Sequence, residues 1–285
     1  MTSTTERVSP PLRLMRLGRT LHRLREERGL TGDQVCAKTG WSPSTLSRLE
    51  RGKTAHVLPG DVHVLLNVYA AEKSVRDECI SLAVSARVTP YWAEHKKALG
   101  GLVEYVALET EAESISSWQP QVIPGLLQTE EYARTVLEAS QVEADGAMVR
   151  LRVRARIARQ WILHCAEPAH LQAVVSEEAL RREVGGRDIM RGQLDHLLAE
   201  LELPNIEIRV LPRAVAVHPG MDGGFVLLTL PAMGETLYLE AGHDGILDQG
   251  PRASHFRRRY SAIQELAWEP GPSAAFIGRV REEMA

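Results

Sequence analysis

A chain of 285 residues can hold one large domain or two of ordinary size. With 44% hydrophobic and 25% charged residues it has the composition of a soluble globular protein, and no apolar run approaches the ~20 residues of a membrane-spanning helix. The net charge of −3 conceals an asymmetry: residues 1–60 hold eleven Lys/Arg against five Asp/Glu, a net of +6, and the remainder holds 23 against 32, a net of −9. A basic head on an acidic body points to a polyanion-binding module at the N-terminus, with a solvated basic face as the ordinary alternative. Cys36, Cys79 and Cys165 lie far apart without a pairing motif, which suits a reducing cytoplasm rather than a disulfide framework.

The opening "MTSTTERVSPPLRLMR" lacks an apolar signal-peptide core and reads as a flexible arm over 1–12. Leu14, Leu17, Leu21 and Leu24 then recur at helical spacing, with arginines over the rest of the surface. Gly29 can end that helix in the left-handed conformation. Thr31-Gly32-Asp33-Gln34 reads as a capping box that starts a short helix carrying Val35 and Cys36 inward, and the chain turns at Gly40. Ser42-Pro43 restarts it, serine as N-cap and proline at the first position, where its missing N–H is harmless. Leu46 and Leu49 face inward, while Ser44, Thr45, Ser47 and Arg48 lie elsewhere on that helix. Two short helices joined through a glycine-containing turn form the motif whose second helix enters the major groove of DNA.

"GLTGDQVCAKTGWSPSTLSRLERGKT" resembles the helix-turn-helix of the Xre/Cro repressor family, with its T-x-x-Q entry, turn glycine, S-x-S-x-L-S-R-x-E recognition helix and following R-G-K. The resemblance implies that Pro43, Ser44, Ser47 and Arg48 face base edges. It implies phosphate contacts for Gly32, Thr45, Arg51, Lys53 and Thr54. Many relatives carry Gln where this chain has Gly32, so that contact is expected to be missing or made by a backbone N–H. Arg48 is the long donor on the reading face, and its fork suits the O6/N7 edge of guanine. Val62, Leu65, Leu66 and Tyr69 mark a fourth helix, and a fifth follows with Ser74 as its expected N-cap. Together these predict an all-α, five-helix DNA-binding domain over 13–88. The domain boundary is expected at Thr89-Pro90, because the residue before proline is pushed out of the helical region.

The acidic body begins at Tyr91-Trp92 and is expected to form a helix from about Leu102 to Ile115, carrying Glu104, Glu109, Glu111 and Glu113. "SWQPQVIPGLLQT" at 117–129 is too broken for a helix interior and too apolar for a solvated loop. Pro124-Gly125 suits the centre of a type II turn, with glycine at φ > 0. Trp118, Val122, Ile123, Leu126 and Leu127 would pack that turn against the body as cladding. The alternative is that Trp118, Pro124, Gly125 and Leu126, with His218, line a ligand pocket or partner surface. "AMVRLRVRARIARQWIL" reads as a helix whose Arg152, Arg156 and Arg159 are expected to pair with the glutamate-rich helix or be solvated, with nucleic-acid binding as the alternative.

"HLQAVVSEE", "NIEIRVLP", "GFVLLTLP" and "TLYLEAG" are β-rich runs, the last two forming a hairpin, and two helices close the chain. The body, 90–285, is therefore expected to be α+β with a small, mainly antiparallel sheet. "YVALETEAESISSWQPQVIPGLLQTEEYAR", "EALRREVGG", "LPNIEIRVLP" and "HPGMDGGFVLL" are similar to the C-terminal domain of a large actinobacterial group of Xre-type regulators, often described as antitoxin-like and frequently encoded beside a small partner protein.

No catalytic constellation stands out. "HCAEPAH", with His164, Cys165 and His170, is interrupted by Pro168 and has no second cluster for zinc. "VGGRD" and "GMDGG" lack the Lys-Ser/Thr of a phosphate loop. His243 in "GHDG" lacks a nucleophile elbow, and Asp244 and Gly245 read as turn residues. The expectation is a cytoplasmic, homodimeric, operator-binding transcriptional regulator, neither an enzyme nor a cofactor protein, without a membrane segment. Its body would sense a small molecule or a small cognate protein. The rival is an antitoxin-like protein whose main role is to bind that cognate partner, with DNA binding for autoregulation.

Overall fold

The computed structural model describes residues 10–54, 57–86, 91–140, 145–231, 233–241 and 244–284. Thr89-Pro90 and His243 lie outside them. The chain divides into two compact units, Met1–Ala93 and Glu94–Ala285.

The first unit is helical: α1 (Pro10–Glu27), α2 (Gly32–Thr39), α3 (Pro43–Glu50), α4 (Pro59–Val68) and α5 (Lys73–Ser85). Pro10 opens α1, so 10–12 belong to this helix rather than to an arm. Leu14, Leu17, Leu21 and Leu24 bury their stripe against Val35, Leu46, Leu49, Val62, Leu65, Leu66 and Tyr69 in one core. Gly29 and Gly40 take φ of 63° and 75°, the left-handed region that lets each helix end without a Cβ clash. Both N-caps of the motif form. Thr31 and Gln34 make the reciprocal capping box, and the Ser42 hydroxyl accepts from the amide of Thr45 with Pro43 at the first turn. Ser74 does not cap α5: the helix starts one residue earlier, and Glu72 holds the N-cap position without a side-chain hydrogen bond.

The second unit wraps helices around one sheet. In chain order it contains α6 (Lys96–Leu99), α7 (Val103–Glu111), β1 (Ser114–Gln119), α8 (Glu130–Ser140), α9 (Gly146–Arg159), α10 (Trp161–His164), β2 (His170–Ser176), α11 (Glu177–Arg181), α12 (Arg187–Glu200), β3 (Ile206–Leu211), β4 (Phe225–Leu230), β5 (Gly234–Ala241), β6 (Asp244–Gln249), α13 (Pro251–Leu266) and α14 (Pro270–Glu283). The strand order is β3-β2-β1-β4-β5-β6. β1 pairs with β2, and β2 with β3, in parallel; β1–β4, β4–β5 and β5–β6 are antiparallel.

The sheet is thus six-stranded and mixed, not small and mainly antiparallel. Two strands escape the sequence reading. β1 begins where the helix was expected to continue, so Ile115 is a strand residue and α7 stops at Glu111. Asp244 and Gly245 open β6 instead of forming a turn. The parallel half follows from covalent logic: helical crossovers separate β1 from β2 and β2 from β3, and parallel neighbours need such crossovers.

Alternation gives the sheet two distinct faces. On one, Trp118, Val174, Phe225, Leu227 and Leu237 pack with Ala253, Tyr260 and Ile263 of α13. On the other, Ser117, Val226 and Tyr238 stand side by side in register. α7 packs over β4, and Tyr105 of α7 stacks on Tyr238 with ring centroids 3.9 Å apart. Glu109 and Glu111 are buried rather than part of a solvated acidic face.

Candidate functional site

Recognition-helix side chains matter only if the helix is held at fixed height and rotation, and three features of the first unit hold α3. Gly18 sits mid-helix in α1, where a Cβ would lie 2.5 Å from the Leu49 carbonyl oxygen and 2.6 Å from that of Glu50, so only glycine permits this approach. Arg25 of α1 donates through Nε to Glu50 Oε1 at 2.7 Å and through Nη1 to the Leu30 carbonyl at 2.9 Å. His22 Nδ1 lies 2.8 Å from Glu50 Oε2. Burial pushes the Glu50 carboxyl up, but hydrogen bonds from Arg25 and His22 outweigh burial and hold it below its ordinary value. Gly18, Arg25 and Glu50 were not singled out from the sequence. A glycine inside an otherwise strong helical pattern was the available signal for the first.

On that platform Pro43, Ser44 and Arg48 are exposed on α3, and the Arg48 side chain makes no hydrogen bond or ion pair with the described residues. The Ser42 hydroxyl lies 2.9 Å from that of Ser44 and 2.8 Å from that of Thr45, a hydroxyl cluster at the helix N-terminus. Arg51 folds back on its own helix, Nε donating to Ser47 Oγ at 3.0 Å. Gly32, Pro43, Ser47 and Arg51 border one shallow depression, together with Asp33 and Glu50. Lys53 is exposed and Thr54 half-buried just beyond the end of α3. A face with hydroxyls, one unengaged guanidinium and a nearby lysine has the chemistry to meet phosphates and base edges.

The structure splits the candidate set in the body. Trp118 is fully buried on the α13 face, its Nε1 donating to the Gly220 carbonyl at 2.9 Å. His218 meets it edge-on with ring centroids 5.4 Å apart, and burial draws the His218 pKa below its ordinary value against the field of Glu178. Pro124, Gly125 and Leu126 instead line a cavity of about 460 Å³ on the opposite face. Gly125 is not at positive φ. Gly125–Leu127 form a 3-10 turn, so the expected type II turn is absent. Two glutamine amides fix this segment: Gln128 Nε2 donates to the Ile123 carbonyl at 2.7 Å, and Gln193 Nε2 to that of Leu127 at 2.6 Å.

Arg159 forms a two-pronged ion pair with Glu109 at 2.8 and 2.7 Å, and Tyr105 donates to the same carboxylate at 2.6 Å. Among the described residues no group of three or more His, Cys, Asp or Glu is placed to hold a metal ion, and no helix is long and apolar enough to cross a membrane.

Comparison with known proteins agrees with the division into two units. A family described as a helix-turn-helix domain matches residues 16–79, and one described as a domain of unknown function (DUF5753) matches residues 102–279. No curated protein and no solved structure matches the chain. Since the second match spans more than half of the 285 residues, the protein belongs to the DUF5753 family, with a helix-turn-helix domain ahead of the family domain that marks it as a DNA-binding regulator.

Proposed function

We propose that the protein is a sequence-specific transcriptional regulator of the Xre/Cro type that works in the cytoplasm, binds its operator as a homodimer and responds to a small molecule held in the body. The observation that carries the reading is Arg48, exposed and unengaged on a recognition helix whose position Gly18 and the Arg25–Glu50 pair fix. A single helix-turn-helix covers a half-site, so useful specificity calls for two copies arranged by a dimer. The body is read as binding without transforming its ligand, because Glu109 at the cavity wall is already engaged by Arg159 and Tyr105.

Arg48→Ala is expected to weaken specific operator binding by ~1–3 kcal/mol and to relax preference at one base pair. Arg51→Ala or Lys53→Ala should weaken specific and non-specific binding alike and flatten the salt dependence. Gel shifts on matched and scrambled duplexes decide between them. An Arg48→Ala protein with unaltered specific affinity would mean that the reading face is misassigned.

A second reading, an antitoxin-like protein that captures a small cognate protein, draws support from Val217 and Met221, which are 80% and 63% exposed on the connection between β3 and β4. Apolar side chains presented this way suit a protein surface better than a metabolite. Stoichiometric co-purification of a small protein, lost in a Val217→Ser/Met221→Ser variant, would favour this reading.

A further inference from the structure

The cavity on the sheet face away from α13 has a floor of Ser117, Val226 and Tyr238 and is lined besides by α7, α9 and residues 122–126. At about 460 Å³ it falls within the ~300–1,000 Å³ of small-molecule sites. Its two arginines differ. Arg159 already has both oxygens of Glu109. Arg156 has a single neutral hydrogen-bond partner, Gln128 Oε1 at 2.9 Å, and no carboxylate of the described residues within ion-pair distance.

Burial and the neighbouring Arg159 charge pull the Arg156 pKa down to about 10, opposed by Glu240 and Tyr132, so it stays cationic at neutral pH. Across the floor, Tyr238 presents the ring that stacks on Tyr105, while its hydroxyl is buried against Gly245 of β6, outside the lining. A charge short of counter-charge is costly unless something completes it. The rest of the lining mixes apolar side chains, among them Leu102, Val122 and Leu126, with polar ones such as Gln119 and Gln121.

We propose that this cavity binds a small amphiphilic organic anion, its charged group held by the Arg156 guanidinium and its apolar part by the side chains of the walls. Glu109 is neutralised by Arg159, and Glu240 is exposed at the rim, so Arg156 sets the sign of the field inside. A neutral or cationic ligand of the same shape leaves that charge uncompensated. The inference deepens the sensing role proposed above and rests on it for its biological meaning, while the binding site itself stands apart from DNA recognition.

The test uses the full chain and two fluorescent probes of one skeleton, 8-anilinonaphthalene-1-sulfonate and its uncharged parent N-phenyl-1-naphthylamine. The sulfonate is expected to bind one saturable site about tenfold or more tighter than the parent, the worth of one charge-assisted contact. Arg156→Gln should remove that preference and leave the affinity for the parent unchanged. Glu240→Gln should raise sulfonate affinity, which keeps the proposal testable if Arg156→Gln does not fold by circular dichroism.

Equal affinities for the two probes, or sulfonate binding unaffected by both substitutions, overturns the proposal. Gel shifts with and without the sulfonate separate the two levels. Saturable, Arg156-dependent binding without any change in operator affinity upholds the site and removes the sensing role.

Discussion

On the N-terminal unit the Arg48 side chain stands in solvent with no partner among the described residues, whereas in the body Arg159 is buried against both oxygens of Glu109 and Arg156 lines a cavity. The same side chain therefore serves two kinds of recognition. A guanidinium on an exposed surface can be reached by a polyanion as wide and stiff as a duplex, and water and salt screen it until that partner arrives. A half-buried guanidinium lining a cavity suits a small ligand, and with less water around it each charge contact is stronger. The difference also locates each unit's vulnerability. The first depends on how closely its helices approach one another, the second on whether its buried charges are completed.

The body should show the larger effect. Glu109→Ala removes the counter-charge of Arg159 and the acceptor of Tyr105, and breaking such a pair is expected to cost ~3–5 kcal/mol. Hydrogen exchange of the α7 and α9 amides in the full chain measures it. Replacing Arg159 by Met as well should recover part of the loss, because no unpaired charge then remains. If Glu109→Ala leaves exchange in α7 and α9 unchanged, the ion pair is not what holds this wall.

In the first unit Gly18→Ala should cost ~1–3 kcal/mol, since the new methyl meets carbonyl oxygens of α3 that cannot rotate away. Faster exchange in α3 and weaker operator binding should appear together, with the body untouched. Unchanged exchange in α3 would show that α1 and α3 do not need this close approach.

Why one unit was legible and the other only partly so follows from the range of the signals. The helix-turn-helix is written in local chemistry: Thr31 with Gln34, Ser42 with Pro43, and the glycines at 29 and 40 act within a few residues of their own positions. The mixed sheet is not. β1, "SISSWQ", carries three serines and reads as polar, yet its interior is buried, and Ser116 accepts from Arg257 of α13 at 3.0 Å. Nothing near Ser116 in the sequence announces that partner. The cavity is a stronger case, because Gly125, Arg156 and Tyr238 converge from three elements and no spacing rule links them. The arginine run was readable as a helix, but which arginine is paired and which is not depends on where α7 lies.

A pH titration sharpens the contrast at a smaller scale. Glu50 is held below its ordinary value, so the stability it contributes is complete above the unfolded carboxylate pKa of ~4.3 and is lost as pH falls through the lower folded value. Thermal unfolding of the first unit should therefore become easier on acidification below about pH 5, and less steeply so in Glu50→Gln. Parallel pH profiles for the two proteins would mean that Glu50 does not carry the dependence.

The smallest expected effect falls on the segment that joins core and cavity. Had Pro124-Gly125 formed a type II turn, glycine would sit at φ > 0, and Gly125→Ala would strain the backbone. In the 3-10 turn Gly125 is outside that region, and the nearest atom to an added Cβ is the Arg156 Cδ at 4.0 Å, an ordinary contact. Alanine then removes freedom from the unfolded chain without straining the folded one, which is expected to leave stability unchanged or raise it by ~0.4–1 kcal/mol. The new methyl would rest against the aliphatic stem of Arg156 and not its guanidinium, so the preference for the anionic probe should survive. A melting temperature lowered by several degrees would restore the strained turn. An unaltered melting temperature with a lost anion preference would place the segment, rather than Arg156 alone, in control of the cavity.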